Sequence, residues 1–224
     1  MDKLREILEE LRLVFFGRVS WMDTLLPPIL FVVANRWLDP LWAAGLAVLL
    51  AAGLAWMRHR LGQSINNALG GIAGTVLAAV MVGWLGREEG FFIPDVVSDG
   101  LVGGVCLLSV ILRRPLAAWA SYATRGWPRD WYWLSNVRPA YQEVTLLWAV
   151  YFIVRFVVQW RLFQAQAGET LGIVSLISGT PGLLVVLIAS YLYGSWRLVR
   201  LGGPSVDEYE LGTEPPWLSQ RRGF

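Results

Sequence analysis

Six apolar stretches divide this chain, and they limit its possible folds more than any other feature. They lie at Met22–Trp37, Leu41–Met57, Ala68–Leu85, Phe91–Leu112, Ala140–Trp160 and Leu171–Leu192. Each approaches the length of about 20 apolar residues that an α-helix needs to cross a bilayer. Only 16% of the residues are charged, against about 25% in soluble domains. We therefore predict an all-α, polytopic membrane protein with six transmembrane helices.

The lysines and arginines are divided unevenly among the segments that flank these stretches. Of the 19, 15 lie before the first stretch, after the last, or in the second and fourth connections; three lie in or beside the other connections, with Arg36 next to the end of the first stretch. Cationic side chains resist translocation across the membrane. This division predicts a bacterial inner-membrane protein with both termini in the cytoplasm. Arg155 belongs to neither side, because it lies inside the fifth stretch.

The pattern divides the chain into three regions. Residues 1–17 have apolar positions at helical spacing with charges opposite, which predicts an interfacial amphipathic helix. Residues 18–201 form the predicted six-helix transmembrane domain. Residues 202–224 combine Gly, Pro and acidic side chains and are predicted to be a flexible cytoplasmic tail. The aromatic segment Pro115–Leu134 is predicted to be a re-entrant or surface-lying loop, because its apolar part is too short to cross.

Several classes of function do not fit these residues. The net charge of +2 is small and dispersed over the connections, whereas nucleic-acid binding needs a concentrated basic face. One cysteine, Cys106, permits no intrachain disulfide, and one histidine, His59, excludes a metal centre built on histidines. We expect no cofactor, no metal site and no catalytic residue. A membrane enzyme that acts on lipid has no paired catalytic motif to support it, although Asp95 and Asp99 could together hold a divalent cation.

The polar residues of the fifth stretch give the strongest functional signal. They share one helix face, which we expect to be turned inward: Tyr141, Trp148, Tyr151, Arg155 and Gln159. An arginine at the centre of a span costs about 2.5–3.5 kcal/mol on insertion scales and is usually paired. The fourth helix runs in the opposite direction, which places Asp99 at a comparable depth and Asp95 one turn away. We predict an Arg155–Asp99 ion pair, with Asp95 as the second choice.

This predicted pair has two interpretations. It either contacts an anion or solute as part of a path through the membrane, or it locks the fourth span against the fifth. The sixth stretch has two interpretations as well, because polar and small residues interrupt it at Ser175, Ser178, Gly179, Thr180, Pro181 and Gly182. Broken helices build ion and substrate sites in many transporters, which makes Thr180 a candidate. A proline kink satisfied by Ser and Thr hydroxyls is the alternative.

Small residues recur at intervals of four in two stretches. Gly70, Gly74 and Ala78 form such a ladder in the third stretch, and Gly100 and Gly104 do so in the fourth. Ladders of this kind let helices pack closely, within one chain or between two copies. The predicted partners are therefore the lipid bilayer and, through these glycines, a second copy of the chain.

Five strings together resemble one protein family. They are TLLPPILF (24–31), NNALGGIAG (66–74), FFIP (91–94), LRRPL (112–116) and RPAYQEVTLLWAVYFIVRFVVQWRLF (138–163). In order and spacing they are similar to the uncharacterised bacterial membrane family called domain of unknown function 3159, over roughly residues 17 to 201. That family distantly resembles intracellular septation protein A. Its fifth-span arginine matches Arg155, but it tends to have Gly and Asn where this chain has Asp95 and Asp99.

Two classes of function remain from the sequence. The first is a small-solute or ion transporter or channel. Its path would use Arg155, Asp99, Tyr151, Gln159 and the broken sixth stretch. The second is a non-catalytic scaffold or assembly factor of the cell envelope or septation type. A polar stripe that is continuous across the bilayer favours the first, and a closed, dry bundle with Arg155 fully paired favours the second.

Overall fold

The structure, a computed structural model, describes residues 21–60 and 66–217, and its regular elements there are helices. The predicted interfacial helix at residues 1–17 lies outside the described residues. In chain order the elements are α1 (Trp21–Ala34), α2 (Pro40–Arg60), α3 (Asn66–Leu85), a 3-10 helix (Glu88–Phe92), α4 (Ile93–Ile111), α5 (Leu116–Arg125), a 3-10 helix (Arg129–Trp133), α6 (Arg138–Gln164), α7 (Gly168–Ser178), α8 (Thr180–Leu201) and α9 (Val206–Glu210).

In the described part of the chain, four helical stretches are long and apolar enough to cross a membrane. They are Pro40–Met57, Glu88–Ile111, Arg138–Gln164 and Gly168–Leu201, and only 11% to 33% of each apolar window is buried within the protein. Soluble proteins rarely expose so much contiguous apolar surface, so the chain is a membrane protein. The predicted first and third spans correspond to shorter apolar helices, Leu25–Ala34 and Gly70–Leu85. Length alone therefore supports four of the six predicted spans.

The described chain forms two compact units. The first contains the described residues up to Val96 together with Gln159–Pro181. Within it, α2 packs against both α1 and α3, and Ala43 and Ala47 on α2 are fully buried. Small side chains at a spacing of four let neighbouring helices approach closely. The same core holds Phe31, whose ring stacks on Phe91 with the centroids 3.9 Å apart.

The second unit contains Val97–Val158 and the described residues from Gly182 onward. In it α4 and α6 are antiparallel, because Gly100 lies against Phe156 and Gly103 against Ile153. A third helix, α8, is also antiparallel to α6. Glu143 of α6 contacts Arg197 of α8, whereas the later Trp148 of α6 contacts the earlier Ser190 of α8. The C-terminal end of α4, the N-terminal end of α6 and the C-terminal end of α8 therefore lie at the same end of this unit.

An aromatic cluster fills that end of the second unit. Trp131, Tyr132 and Tyr141 are all fully buried, and the Tyr132 hydroxyl lies 3.1 Å from that of Ser121 on α5. Burial raises the pKa of Tyr132. The segment predicted to be a loop thus contains α5, a helix of 10 residues that is too short to cross a bilayer.

The start of the predicted flexible tail is folded. Trp131 donates its indole N–H to the carbonyl of Pro204 at 2.9 Å. Just after it, Ser205 and Glu208 form a reciprocal capping box at the start of α9. The prediction of a flexible tail rested on composition. Composition does not reveal that a buried tryptophan binds the chain at Pro204, or that Ser205 and Glu208 form a capping box.

The ladder glycines differ in their contacts with the rest of the described chain. A Cβ added at Gly70, Gly74 or Gly104 would meet no described atom within 4 Å, whereas one at Gly100 would lie 3.0 Å from the Phe156 ring. The second close contact with α6 is made by Gly103 and not by Gly104. Gly100 and Gly103 share a helix face because residues three apart lie close together on a helix. Gly100 therefore serves packing within the chain, and a second copy bound through the ladder glycines stays a prediction.

Replacing Gly103 by alanine tests this packing. The new Cβ would lie 2.9 Å from Cγ1 and 3.3 Å from the backbone nitrogen of Ile153, so Ile153 must shift. We expect the free energy of unfolding to fall by about 1 kcal/mol, the lower end of overpacking costs. Gly104→Ala is the matched control and should be neutral or stabilising, because alanine favours helix. Unfolding in mixed micelles measures both, and equal effects of the two variants would contradict this packing.

Candidate functional site

The predicted ion pair between Arg155 and Asp99 is present. Arg155 Nη1 donates to Asp99 Oδ1 at 2.8 Å. The two side chains are only 10% and 5% exposed, so the pair is removed from bulk solvent. A hydrogen bond between two charged groups is shorter and stronger than one between neutral groups. This confirms the prediction made from the matched depths of the two residues.

Close packing of α4 on α6 explains why the pair is in direct contact. Gly100 follows Asp99 on α4 and lies against Phe156, which follows Arg155 on α6. One turn further along, Gly103 lies against Ile153. Neither glycine has a Cβ, so the two backbones come close enough for Arg155 to reach Asp99 without a bridging water.

Arg155 lies deeper in its helix than the sequence indicated. We predicted an outer end at Trp160, but α6 continues to Gln164, roughly 13 Å beyond Arg155 at 1.5 Å per residue. One turn before Arg155, the ring centroid of Tyr151 lies 5.7 Å from the guanidinium carbon. A cation above an aromatic face is attracted by the ring quadrupole. The guanidinium therefore has both a carboxylate and an aromatic neighbour.

The predicted polar stripe of α6 is turned into the protein. Tyr141 and Gln159 are fully buried, and the other three members are partly buried. Trp148 donates its indole N–H to Ser190 Oγ on α8 at 2.8 Å. The inward orientation predicted from helical spacing is confirmed for each residue of the stripe.

Asp95, the second-choice partner, lies in the first unit. It accepts a hydrogen bond from Ser175 Oγ on α7 at 2.9 Å, and Ser175 is buried. Among the described residues, no group of three or more His, Cys, Asp and Glu side chains is arranged to hold a metal ion.

The sixth apolar stretch is broken where the sequence indicated. The first helix of the stretch, α7, ends at Ser178, and α8 begins at Thr180, with Gly179 between them at ψ −119°. Ser178 Oγ donates to the carbonyl of Val174 at 2.6 Å. This hydroxyl bonds back to a carbonyl four residues earlier within α7, a contact that bends helices, whereas the carbonyl that Pro181 leaves without an N–H donor is that of Ile177. Thr180 is partly buried at the first position of α8.

Sequence reasoning missed a second ion pair in the second unit. Arg197 on α8 donates from Nε to Glu143 Oε2 at 2.8 Å and from Nη2 to Glu143 Oε1 at 2.9 Å. Tyr193 donates its hydroxyl to Glu143 Oε2 at 2.6 Å. Both charged side chains are about one-third exposed, so this bidentate pair lies nearer to solvent than Arg155–Asp99. The available signal was the position of both residues near the same end of two antiparallel helices.

A cavity of about 140 Å³ lies in the first unit. Asn35 donates to Glu88 across it, and Arg36 pairs with Glu169. These contacts join the end of α1 to the first 3-10 helix and to the start of α7. Both ion-pair residues here are well exposed, and such pairs contribute little to stability.

Comparison with known proteins supplies a family. No curated protein and no solved structure matches the chain. A family model described as "Protein of unknown function (DUF3159)" matches residues 16–197. This confirms the resemblance carried by the five strings. The match covers most of the chain, which therefore belongs to that family.

Proposed function

We propose that this protein moves a small solute or ion across the bacterial inner membrane, with Asp99 and Arg155 as the charged element of its path. The observation that carries the proposal is the buried Asp99–Arg155 pair inside two apolar helices. Ionisable residues in membrane spans are expensive, and they commonly mark ion and substrate pathways.

The energetics of buried ion pairs favour a functional over a structural role. Removing two charges from water costs several kcal/mol per ion, and apolar residues of similar volume often stabilise a protein as well or better. A pair kept only to hold α4 against α6 would therefore be a poor solution, particularly where Gly100 and Gly103 already permit close packing. The pair is better explained as two charges that can separate when a solute or ion competes for one of them.

A flux assay tests this proposal. Purified protein in vesicles is given inward gradients of Na⁺, K⁺, H⁺ or Cl⁻, and entrapped indicators report the flux. We expect at least one ion to enter faster than in protein-free vesicles, and Asp99→Asn and Arg155→Gln to reduce that flux at least tenfold. Gly104→Ala, in an open position of α4, should retain it. Wild-type flux no greater than that of empty vesicles for all four ions would overturn the proposal of a path for these ions.

A scaffold or assembly factor of the cell envelope is the second candidate. The tight packing of Phe156 and Ile153 around the pair favours it, because it leaves the contact between α4 and α6 closed. The double variant Asp99→Leu/Arg155→Met distinguishes the two functions. A scaffold should still work in cells when the folded double variant replaces the wild type, whereas a transporter should lose its flux.

We also propose that all six apolar stretches cross the membrane, the sixth as α7 and α8 together, with both termini cytoplasmic. α3 has 20 residues, about 30 Å at 1.5 Å per residue, which matches the hydrocarbon core. α1 is shorter and contains Pro27 and Pro28. The division of Lys and Arg supports this orientation.

The end of α2 distinguishes six crossings from four. If α1 and α3 both cross, His59 faces the cytoplasm; if neither crosses, it faces outward. We expect a cysteine introduced as His59→Cys, in a Cys106→Ala background, to resist an impermeant maleimide added to intact cells and to react after permeabilisation. Cys106 is buried, so we expect it to contribute little maleimide labelling even before it is replaced. Labelling in intact cells would contradict the six-span arrangement.

A further inference from the structure

We propose that the end of the second unit formed by α5 and the adjoining ends of α4, α6 and α8 binds the phosphate groups of anionic phospholipids. The binding groups are arginines that lie over tryptophan rings. This inference rests on the proposed topology, which places that end in the cytoplasmic leaflet.

Three arginine–tryptophan contacts lie at this end of the unit. The guanidinium carbon of Arg114 lies 4.4 Å from the centroid of Trp133, and that of Arg200 lies 4.7 Å from Trp196. The third contact places Arg125 4.8 Å from the ring of Trp127. A ring contact uses the face of a guanidinium, whereas phosphate binds the N–H groups along its edge. These contacts therefore hold Arg114 and Arg200 in place while their N–H groups can still reach a phosphate.

Arg114 and Arg200 are well suited to an external anion. Both are exposed, and no carboxylate of the described chain lies within ion-pair distance of either. Arg113, next to Arg114, is also exposed and has no such partner among the described residues. Arg197 differs, because Glu143 already binds its guanidinium. These three available arginines thus lie at the same end of the unit.

The shape of α5 indicates a membrane surface as the source of the anion. Its Ala117 and Ala118 are buried, whereas Trp119 and Tyr122 are 39% and 40% exposed. Tryptophan and tyrosine prefer the headgroup region of a bilayer, and an amphipathic helix with this pattern lies in the interface.

The way α5 is held supports the same orientation. The backbone N–H of Ala117 donates to Thr145 Oγ1 on α6 at 3.1 Å, and that of Leu116 donates to Ser109 Oγ on α4 at 3.1 Å. The helix is therefore fixed to two of the long apolar helices by its first turn. In the proposed orientation, the exposed aromatic side chains of α5 and the neighbouring arginines face the same membrane leaflet. This favours lipid phosphate over a soluble anion.

Association of spin-labelled lipids with the wild-type protein tests this inference. Vesicles of phosphatidylcholine contain traces of labelled phosphatidylglycerol or labelled phosphatidylcholine, and the motionally restricted fraction gives a relative association constant. We expect phosphatidylglycerol to be favoured about threefold at low salt, with most of the preference lost in 0.5 M NaCl because surface charges are screened. Inorganic phosphate at 10 mM should not abolish it. Equal association of both lipids, or loss of the preference with phosphate alone, would overturn the lipid site.

Three variants separate this site from general positive charge. Arg114→Gln and Arg200→Gln should each reduce the preference, and Arg114→Lys should also reduce it because lysine lacks the planar fork. Arg87→Gln is the matched control: Arg87 lies over the Phe163 ring at 5.3 Å, but in a connection that the proposed topology places outside. An equal loss in Arg87→Gln, or none in Arg114→Lys, would overturn the proposal. The measurement needs no flux, so its failure is separate from failure of the transport function.

Discussion

Asp99→Ala is expected to lower the free energy of unfolding by about 3–5 kcal/mol, the cost of removing one partner from a buried ion pair. The variant removes the carboxylate that Arg155 contacts at 2.8 Å, in a place where both side chains are almost fully buried. The helix around it is apolar, so little water can replace the lost oxygen atoms. Equilibrium unfolding in mixed micelles, with circular dichroism as the readout, measures the change.

The control and the double variant make this result specific. Leu101 lies on α4 and is 65% exposed, so Leu101→Ala should cost far less than Asp99→Ala. Asp99→Leu combined with Arg155→Met should recover most of the lost stability, since apolar pairs can replace buried ion pairs. If Asp99→Ala cost less than 1 kcal/mol, or if the double variant were as unstable as the single one, the pair would not be the coupled unit that its geometry indicates.

The Arg155–Asp99 contact could be predicted because two constraints act together. A lone arginine in an apolar helix is costly, so it requires a partner. Consecutive spans run in opposite directions, so counting residues from the ends places Asp99 on α4 near Arg155 on α6. The inward face of α6 followed in the same way from helical spacing. Neither inference required knowledge of the helix rotation or of the packing around it.

The Glu143–Arg197 pair was not found in this way because Arg197 lies beyond the sixth apolar stretch, although within the predicted transmembrane domain of residues 18–201. We placed the end of the sixth stretch at Leu192, which left Arg197 among the residues that follow it. The helix α8 continues to Leu201, so Arg197 is a helical residue opposite Glu143. A backbone at the membrane interface still gains from internal hydrogen bonds, so a helix need not end where its apolar residues end.

The glycine contacts show a further limit. The interval of four predicted that Gly100 and Gly104 form the packing face of α4. The face that contacts α6 contains Gly100 and Gly103. Residues three and four apart on a helix both lie near one another, so the sequence leaves two choices of face. The side chains Phe156 and Ile153 of α6 settle the choice, and this is a tertiary effect.

Gly90→Ala is expected to destabilise the protein by about 3 kcal/mol, the upper end of typical overpacking costs. A Cβ at this position would lie 2.7 Å from the carbonyl oxygen of Met81 and 2.9 Å from the backbone nitrogen of Val82. Both atoms belong to the backbone of α3, which cannot rotate away as a side chain can. The first 3-10 helix, which contains Gly90, must therefore separate from α3.

Gly74→Ala is the control for this variant, because it adds the same methyl group to a position with no described atom within 4 Å. It should be neutral or stabilising, since alanine favours helix more than glycine does. The same unfolding assay compares the two variants. An insensitive Gly90 would mean that the 3-10 helix does not lie against the backbone of α3. The 3-10 helix leads directly into α4, and its contact with α3 holds it in place. Without that contact, Gly90 would have no part in fixing where α4 begins.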